Sequence, residues 1–463
     1  MANHYDVIII GAGMSGLAAG VRCAYYDKTV LILEKHYMYG GLNSFYTKDG
    51  YSFDVGLHAM TNFVPKTARR APLNKLLRQL KLPYEAFDLR EQNYSEILFP
   101  NCRLRFTNNF DELVAQVRLH FPDQMEGFHN LVDIILSYDE LNLQRKPVSA
   151  RNIVSRYLSN PLLIDMLFCP LMYYGSAIED DMEFGQFVIM FKSIFNEGFA
   201  RPWQGVRQIT SALVRQYRKQ GGEMRMRAGV RSLKCTDDRI QAVELEDGEI
   251  LTADKILSSA GYYETLALID PLPVTNPQSN AGVMTFIETI FVLDQPPADW
   301  GHDATITFYN LGEQFRYRKA EGLVDVKSGV ICSPNNYQYD RPLKDNLLRL
   351  TCISNFEVWQ SLQSDSEAYY AAKERVIRQM IDAVEQLIPP FRDHVIYTDA
   401  FTPLTIQRYT GHINGAVYGA PDKVKDGRTP FKNLFIIGTD QGFLGIVGAM
   451  LSGISMANLH VLQ

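Results

Sequence analysis

Tyr5-Asp6-Val7-Ile8-Ile9-Ile10-Gly11-Ala12-Gly13-Met14-Ser15-Gly16 is the stretch on which the fold turns. Residues 7–10 are an apolar, β-branched run, the pattern of a strand buried on both faces of a parallel sheet. The glycines that follow divide the work of a strand–turn–helix unit. Gly11 makes the tight turn, Gly13 admits a pyrophosphate, and Gly16 lets helix and strand pack closely. A helix beginning near Ser15 aims its leading amides and the positive end of its dipole at the phosphates. A second strand, Thr29-Val30-Leu31-Ile32-Leu33, ends on Glu34, close to the ~20-residue offset at which an acid grips ribose hydroxyls. An acid at that position opposes a 2′-phosphate, so FAD or NAD fits and NADP does not.

The next stretch separates those two. Gly40-Gly41-Leu42-Asn43-Ser44-Phe45 is another small-residue loop able to approach a pyrophosphate. Tyr51-Ser52-Phe53-Asp54-Val55-Gly56-Leu57-His58 reads as a strand end and a glycine-bearing turn, where backbone can lie against a flat ring. Together the glycine fingerprint, the Glu34-Lys35 ending, the paired glycines and the Phe-Asp-x-Gly turn resemble the phytoene desaturase, carotenoid isomerase and retinol saturase family of FAD enzymes. Leu42 departs from the pattern, because many members carry Arg there. Part of the pyrophosphate charge then falls to another group, with Ser44 the candidate.

The resemblance continues along the chain. Arg201-Pro202-Trp203-Gln204-Gly205-Val206 precedes a helical pattern over 208–219, and alternating strands follow around Val230, 240–246 and 250–257, with Asp247-Gly248 as a hairpin signal. The resemblance implies that backbone at Val230 meets the adenine and that Ser258-Ser259-Ala260-Gly261 lies near the phosphates. At the other end, Asn433-Leu434-Phe435-Ile436-Ile437-Gly438-Thr439-Asp440 reads as a buried strand closing on Gly and an acid. Gly445-Ile446-Val447-Gly448-Ala449-Met450 then opens a helix of small residues. Asp440 can accept from ribityl hydroxyls, and the amides of that helix start can face the flavin pyrimidine edge.

Composition narrows the classes. The net charge of −6 comes without a long basic run, which leaves no electrostatic footprint for nucleic acid. The cysteines show no C-x-x-C spacing, so neither a disulfide framework nor a zinc site is expected, and a reducing compartment fits best. No closely spaced His/Cys cluster suggests a metal and no G-x-S-x-G a hydrolase nucleophile. The opening residues lack the charged and apolar regions of a signal peptide, and no window approaches the ~18 apolar residues of a membrane span. The expected location is cytoplasmic, with any membrane contact peripheral. The apolar stretch Pro161–Tyr174 fits either a lipid-facing role or ordinary core packing.

The expected fold is α/β: a Rossmann-like FAD-binding domain (1–110, 199–272 and 401–463) interleaved with an α+β substrate domain (111–198, helical, and 273–400, strands and helices). Non-covalent FAD is the expected cofactor. Its expected contacts are Gly11, Gly13, Ser15, Gly16, Glu34, Lys35, Gly41, Leu42, Ser44, Gly56, Leu57, His58, Val230, Ala260, Gly438, Asp440, Gly445, Ile446 and Val447. The resemblance implies a long polyene or isoprenoid substrate, with desaturation, saturation and cis–trans isomerisation open and desaturation preferred on the breadth of the family. It places His58 after the Phe-Asp-x-Gly turn and Gln407–Gly419 near the flavin, making His58, Tyr409 and His412 the catalytic candidates. A flavin amine oxidase and a non-enzymatic prenyl-lipid carrier, like the GDP-dissociation inhibitors, are the alternatives. Oligomeric state is not legible.

Overall fold

Successive side chains of the fingerprint strand His4–Ile10 point to opposite faces of its sheet. Val7 and Ile9 enter one core while Ile8 and Ile10 enter another. Burial on both sides explains why no polar residue interrupts Val7–Ile10. The computed structural model describes residues 4–140, 145–271 and 280–463. In it the strand is central to a parallel array ordered Glu223–Met226, Val30–Glu34, His4–Ile10, Ile250–Ser258, Leu434–Ile436. Helices Met14–Tyr25, Val206–Lys219 and Gly445–His460 cover one face. An antiparallel meander, Val230–Thr236 with Arg239–Leu245 with the start of Ile250–Ser258, covers the other.

A second sheet runs in the order Val395–Phe401, Phe286–Leu293, Asn346–Ser354, Val324–Cys332, Ile306–Asn310, Ser95–Phe99, Cys102–Phe106. Helices Phe110–His120, Met125–Ser137, Pro161–Gly175 and Phe184–Phe191 share one apolar core with it. Helix Ser366–Val384 packs on its opposite face. The architecture is α/β, a Rossmann-like parallel sheet joined to an α+β layer that the chain enters twice.

The hairpin Ser95–Phe106 corrects the first segment boundary. Read with the cofactor segment 1–110, it pairs into the second sheet instead, Ser95–Phe99 lying parallel to Ile306–Asn310. Alternation identifies a strand but not the sheet it joins. The boundary expected between 272 and 273 lies outside the described residues.

The apolar stretch becomes the helix Pro161–Gly175. Asn160 caps it by accepting from the Leu162 and Leu163 amides, with Pro161 in the first turn. Eleven of its 15 residues are buried, so it packs as a core helix. Among the described residues no helix is long and apolar enough to cross a membrane.

Candidate active site

Two helix starts define one wall of a cavity. Met14–Tyr25 begins at Gly13 with no side-chain cap and no acid in its first turn, and Gly445–His460 begins at Leu444 in the same way. Their leading N–H groups are therefore left for an anion. Both starts open on the same cavity of about 830 Å3, inside the ~300–1,000 Å3 range of small-molecule sites. The Gly40 amide donates to the Ala12 carbonyl at 2.9 Å, which ties the paired glycines to the fingerprint.

Gly13 and Gly16 serve different spaces. A Cβ on Gly13 would meet nothing within 4 Å, and the residue's φ of −73° suits any amino acid. It would simply stand in the cavity. A Cβ on Gly16 would lie 2.0 Å from the Gly11 carbonyl oxygen. One glycine keeps room for a ligand and the other keeps room for the fold. A cradle of this kind, at the uncapped start of Met14–Tyr25, fits a dinucleotide pyrophosphate.

Glu34 ends its strand with the carboxylate turned back on the fingerprint. Oε2 accepts from the Ala12 amide and Oε1 from the His36 amide, both at 2.9 Å. Each oxygen keeps a second lone pair for a ribose hydroxyl. Glu34→Ala is therefore expected to act twice: weaker FAD retention on dialysis, and a loss of about 1–3 kcal/mol in urea unfolding, because the buried Ala12 amide loses its partner.

Gly11, Gly13, Ser15, Glu34, Lys35, Gly41, Leu42, Gly56, His58, Val230, Ala260, Gly438, Gly445 and Ile446 all lie on the cavity wall. Gly16, Ser44, Leu57, Asp440 and Val447 do not. The Leu57 and Val447 side chains are fully buried in the core. The Ser44 carbonyl accepts from the Val55 amide at 2.9 Å, closing the adjoining strand pair. Asp440 accepts from the amides of Tyr262 at 2.7 Å and Ala420 at 2.8 Å and is only 1% exposed. It ties chain segments together behind the wall, and its neighbour Thr439 reaches the cavity instead.

The three catalytic candidates separate. The Tyr409 ring packs edge-on against His36, centroids 4.7 Å apart, and Lys35 lies against the neighbouring Gly411. His412 Nδ1 sits 3.4 Å from Glu264 Oε1, which also accepts from the Ile413 amide at 2.8 Å. Burial alone would raise the Glu264 carboxyl, but His412 and that amide outweigh it and hold it below its ordinary range. Tyr409 and His412 thus lie on the cavity wall beside residues following Glu34 and Ala260. Closeness in sequence to the C-terminal flavin motif does not tell which end of the cavity a residue serves.

His58 stands at the other end. Strands Phe286–Leu293 and Asn346–Ser354 pair so that Glu288 faces Thr351 and Ile290 faces Arg349, which puts Glu288, Thr351 and Arg349 on one face. His58 Nε2 lies 2.8 Å from Thr351 Oγ1 and 3.2 Å from Glu288 Oε2. Arg349 Nε donates to Glu288 Oε1 at 2.5 Å, and its other nitrogens donate to the carbonyls of Leu57 at 2.5 Å and Val55 at 2.6 Å. Burial pushes the Glu288 carboxyl up, but the Arg349 guanidinium, then His58 and Thr351, bring it down to about 2. Aromatic side chains close this end: Phe286 packs 5.9 Å from Tyr173 and 5.8 Å from Tyr418, and Tyr174, Val330 and Val417 complete the wall.

Glu288, Thr351 and Arg349 were not among the expected site residues. A signal existed: Glu288 is the single acid in FIETIFVL and Arg349 the single base in NLLRLTCIS, and charges in otherwise apolar strands are rarely buried unless paired. Among the described residues no group of three His, Cys, Asp or Glu side chains is placed to hold a metal ion.

Comparison with known proteins gives the family and the fold. The sequence profile described as flavin containing amine oxidoreductase matches residues 14–459. Prolycopene isomerase 2, chloroplastic, of an Oncidium hybrid cultivar is 24% identical over 514 aligned positions, covering 99% of this chain and 84% of that protein. All-trans-retinol 13,14-reductase of Danio rerio is 22% identical, covering 98% and 87% respectively. Among solved structures, an oxidoreductase from Methanosarcina mazei superposes with a TM-score of 0.68 at 16% identity, over 98% of this chain and 99% of that one.

Proposed function

Since the chain belongs to the flavin-containing amine oxidoreductase family and is an FAD-dependent oxidoreductase, we propose that it oxidises a long polyene or isoprenoid lipid, as a desaturase. One observation carries this reading. The cavity runs from the glycine cradle into an end lined by Tyr173, Tyr174, Phe286, Val330, Val417 and Tyr418, a wall suited to hydrocarbon. The acid at that end, Glu288, is already paired with Arg349, so it offers no free carboxylate to an ammonium group. That weighs against a polar amine substrate.

Bound FAD supplies the hydride acceptor. The chain's own residues do the rest. Gly13 and the start of Met14–Tyr25 would hold the pyrophosphate, the start of Gly445–His460 would face the flavin pyrimidine edge, Glu34 would hold the ribose, and Tyr409 and the His412–Glu264 pair would close the nucleotide end. The aromatic side chains align the polyene and exclude water. Their π faces ease positive charge as it develops along the conjugated chain. The insolubility of such a substrate supports peripheral contact with a membrane surface as its source. The isomerase and the reductase among the relatives keep two neighbouring outcomes in view, each differing only in electron flow.

The test is anaerobic. Solubilised polyene lipids are added to the oxidised holoprotein and the visible spectrum followed, with diamines as the comparison. Flavin bleaching by a polyene, with a more conjugated product, supports desaturation. Polyene bands that shift while the flavin stays oxidised replace it with isomerisation. Bleaching by an amine and by no polyene overturns the reading.

A further inference from the structure

The hydrogen bonds around His58 determine which of its nitrogens carries the proton. Glu288, held ionised by Arg349, can only accept. The Thr351 hydroxyl, 2.9 Å from Glu288 Oε2, therefore donates its one proton there. Thr351 Oγ1 then meets His58 Nε2, at 2.8 Å, as an acceptor. Nε2 must carry a hydrogen, and Glu288 Oε2 at 3.2 Å shares it. In the neutral ring this leaves the lone pair on Nδ1, which has no hydrogen-bond partner among the described residues and belongs to a side chain on the cavity wall. An imidazole whose far nitrogen is fixed by a carboxylate is a base with its acceptor site already oriented.

We propose that His58 Nδ1 is the proton acceptor of the reaction and that Glu288, with Thr351, is the positioning residue that orients it. This rests on the reading of the protein as a polyene-oxidising flavoenzyme. Desaturation removes hydrogens from two adjacent carbons. One leaves with its electron pair as hydride to FAD, the oxidant. The other leaves as a proton to His58 Nδ1, and the electron pair of that C–H bond becomes the new π bond. The imidazolium so formed keeps its Nε2–H on the Glu288–Thr351 pair.

The other groups around His58 are committed elsewhere. Arg349 is bound to Glu288 and to the carbonyls of Val55 and Leu57. Arg201 pairs with Asp54 and donates to the carbonyls of Leu57 at 2.7 Å and His58 at 3.3 Å. Cys332 and Tyr337 both donate to the His58 carbonyl. The charge at bonding distance from the ring is that of Glu288.

The tautomer is read directly by 15N NMR of histidine-labelled protein, stripped of FAD and reloaded, with the His58 signals identified by their loss in His58→Gln. The wild type is expected to show a protonated Nε2 and a lone-pair Nδ1. Glu288→Gln is expected to show a mixture, because its amide can donate to Nε2 and let the proton move across. A wild-type Nδ1–H tautomer overturns the assignment whether or not any variant folds, and an unchanged tautomer in a folded Glu288→Gln removes Glu288 as the positioning residue. The kinetic arm follows anaerobic flavin reduction by a polyene that bleaches the wild type. His58→Gln, with flavin content intact, is expected to slow it by about 10²–10⁴-fold, the usual contribution of a general base. An unchanged rate removes the proton role and leaves the substrate reading standing. A wild type that no polyene bleaches overturns the substrate reading, and the proton role with it.

Discussion

Gly13→Val is expected to yield a folded protein that no longer retains FAD. The two halves of that expectation have separate causes. Valine's branched side chain accepts the extended backbone that Gly13 already has, and no atom lies within 4 Å of where its Cβ would be. Unfolding of the FAD-free variant should therefore stay within about 0.5 kcal/mol of FAD-free wild type. The same side chain stands in the cavity at the uncapped start of Met14–Tyr25, where a pyrophosphate must approach backbone. Weakening of FAD binding by at least about a hundredfold, or about 3 kcal/mol, is expected by fluorescence titration. Gly16→Val is the contrasting variant: its Cβ meets the Gly11 carbonyl at 2.0 Å, so it should lose stability first and flavin as a consequence. Full flavin loading of Gly13→Val would place the cofactor elsewhere.

Arg349→Met is expected to produce the largest loss of stability, about 3–5 kcal/mol in urea unfolding, the usual cost of leaving a buried charge without its partner. Arg349 and Glu288 are 1% and 3% exposed, so water cannot take over the lost contact. The substitution also frees the carbonyls of Val55 and Leu57, which Arg349 clamps on either side of Gly56. Flavin content should fall along with stability. Glu288→Gln/Arg349→Met, which removes both charges together, should recover part of the loss.

The pH dependence has a definite sign. The Glu288 carboxyl is lowered from 4.5 to about 2, so it contributes stability that is fully present above pH about 4.5 and is lost as pH falls through about 2. In Arg349→Met that acid-side loss should begin at higher pH, since burial then acts on the carboxyl without its main counter-charge. Urea midpoints measured between pH 2 and 7 check both statements.

The cofactor half of the molecule was legible because its constraints are local. A strand, a turn and a helix start must follow one another within a dozen residues to build a phosphate cradle, and Tyr5–Gly16 displays all three. Glu34 is tied to the same unit by one more strand. Asp440 shows the reach of such a pattern: an acid after a strand and a glycine matches a ribityl contact. The carboxylate's use by the Tyr262 and Ala420 amides depends on segments far away in sequence.

The substrate half resisted for the same physical reason. Glu288, Arg349 and Thr351 gain meaning only from the register of two strands some 60 residues apart, Glu288 opposite Thr351, and from the turn at Gly56 folding over them. Within its own strand each is an isolated polar residue. His58 was singled out by its position after that turn, but its partners were not. The hairpin Ser95–Phe106 and the apolar helix Pro161–Gly175 likewise had readable secondary structure and unreadable neighbours.

Every role proposed for the cavity residues depends on FAD being bound there non-covalently. The measurement is the visible spectrum of the purified protein, taken before and after denaturation and removal of the precipitate. An oxidised-flavin spectrum is expected from the native protein, with stoichiometric FAD released into the supernatant and a colourless pellet. A protein that carries no flavin after gentle purification and incubation with FAD, or a pellet that keeps the chromophore covalently, would contradict it.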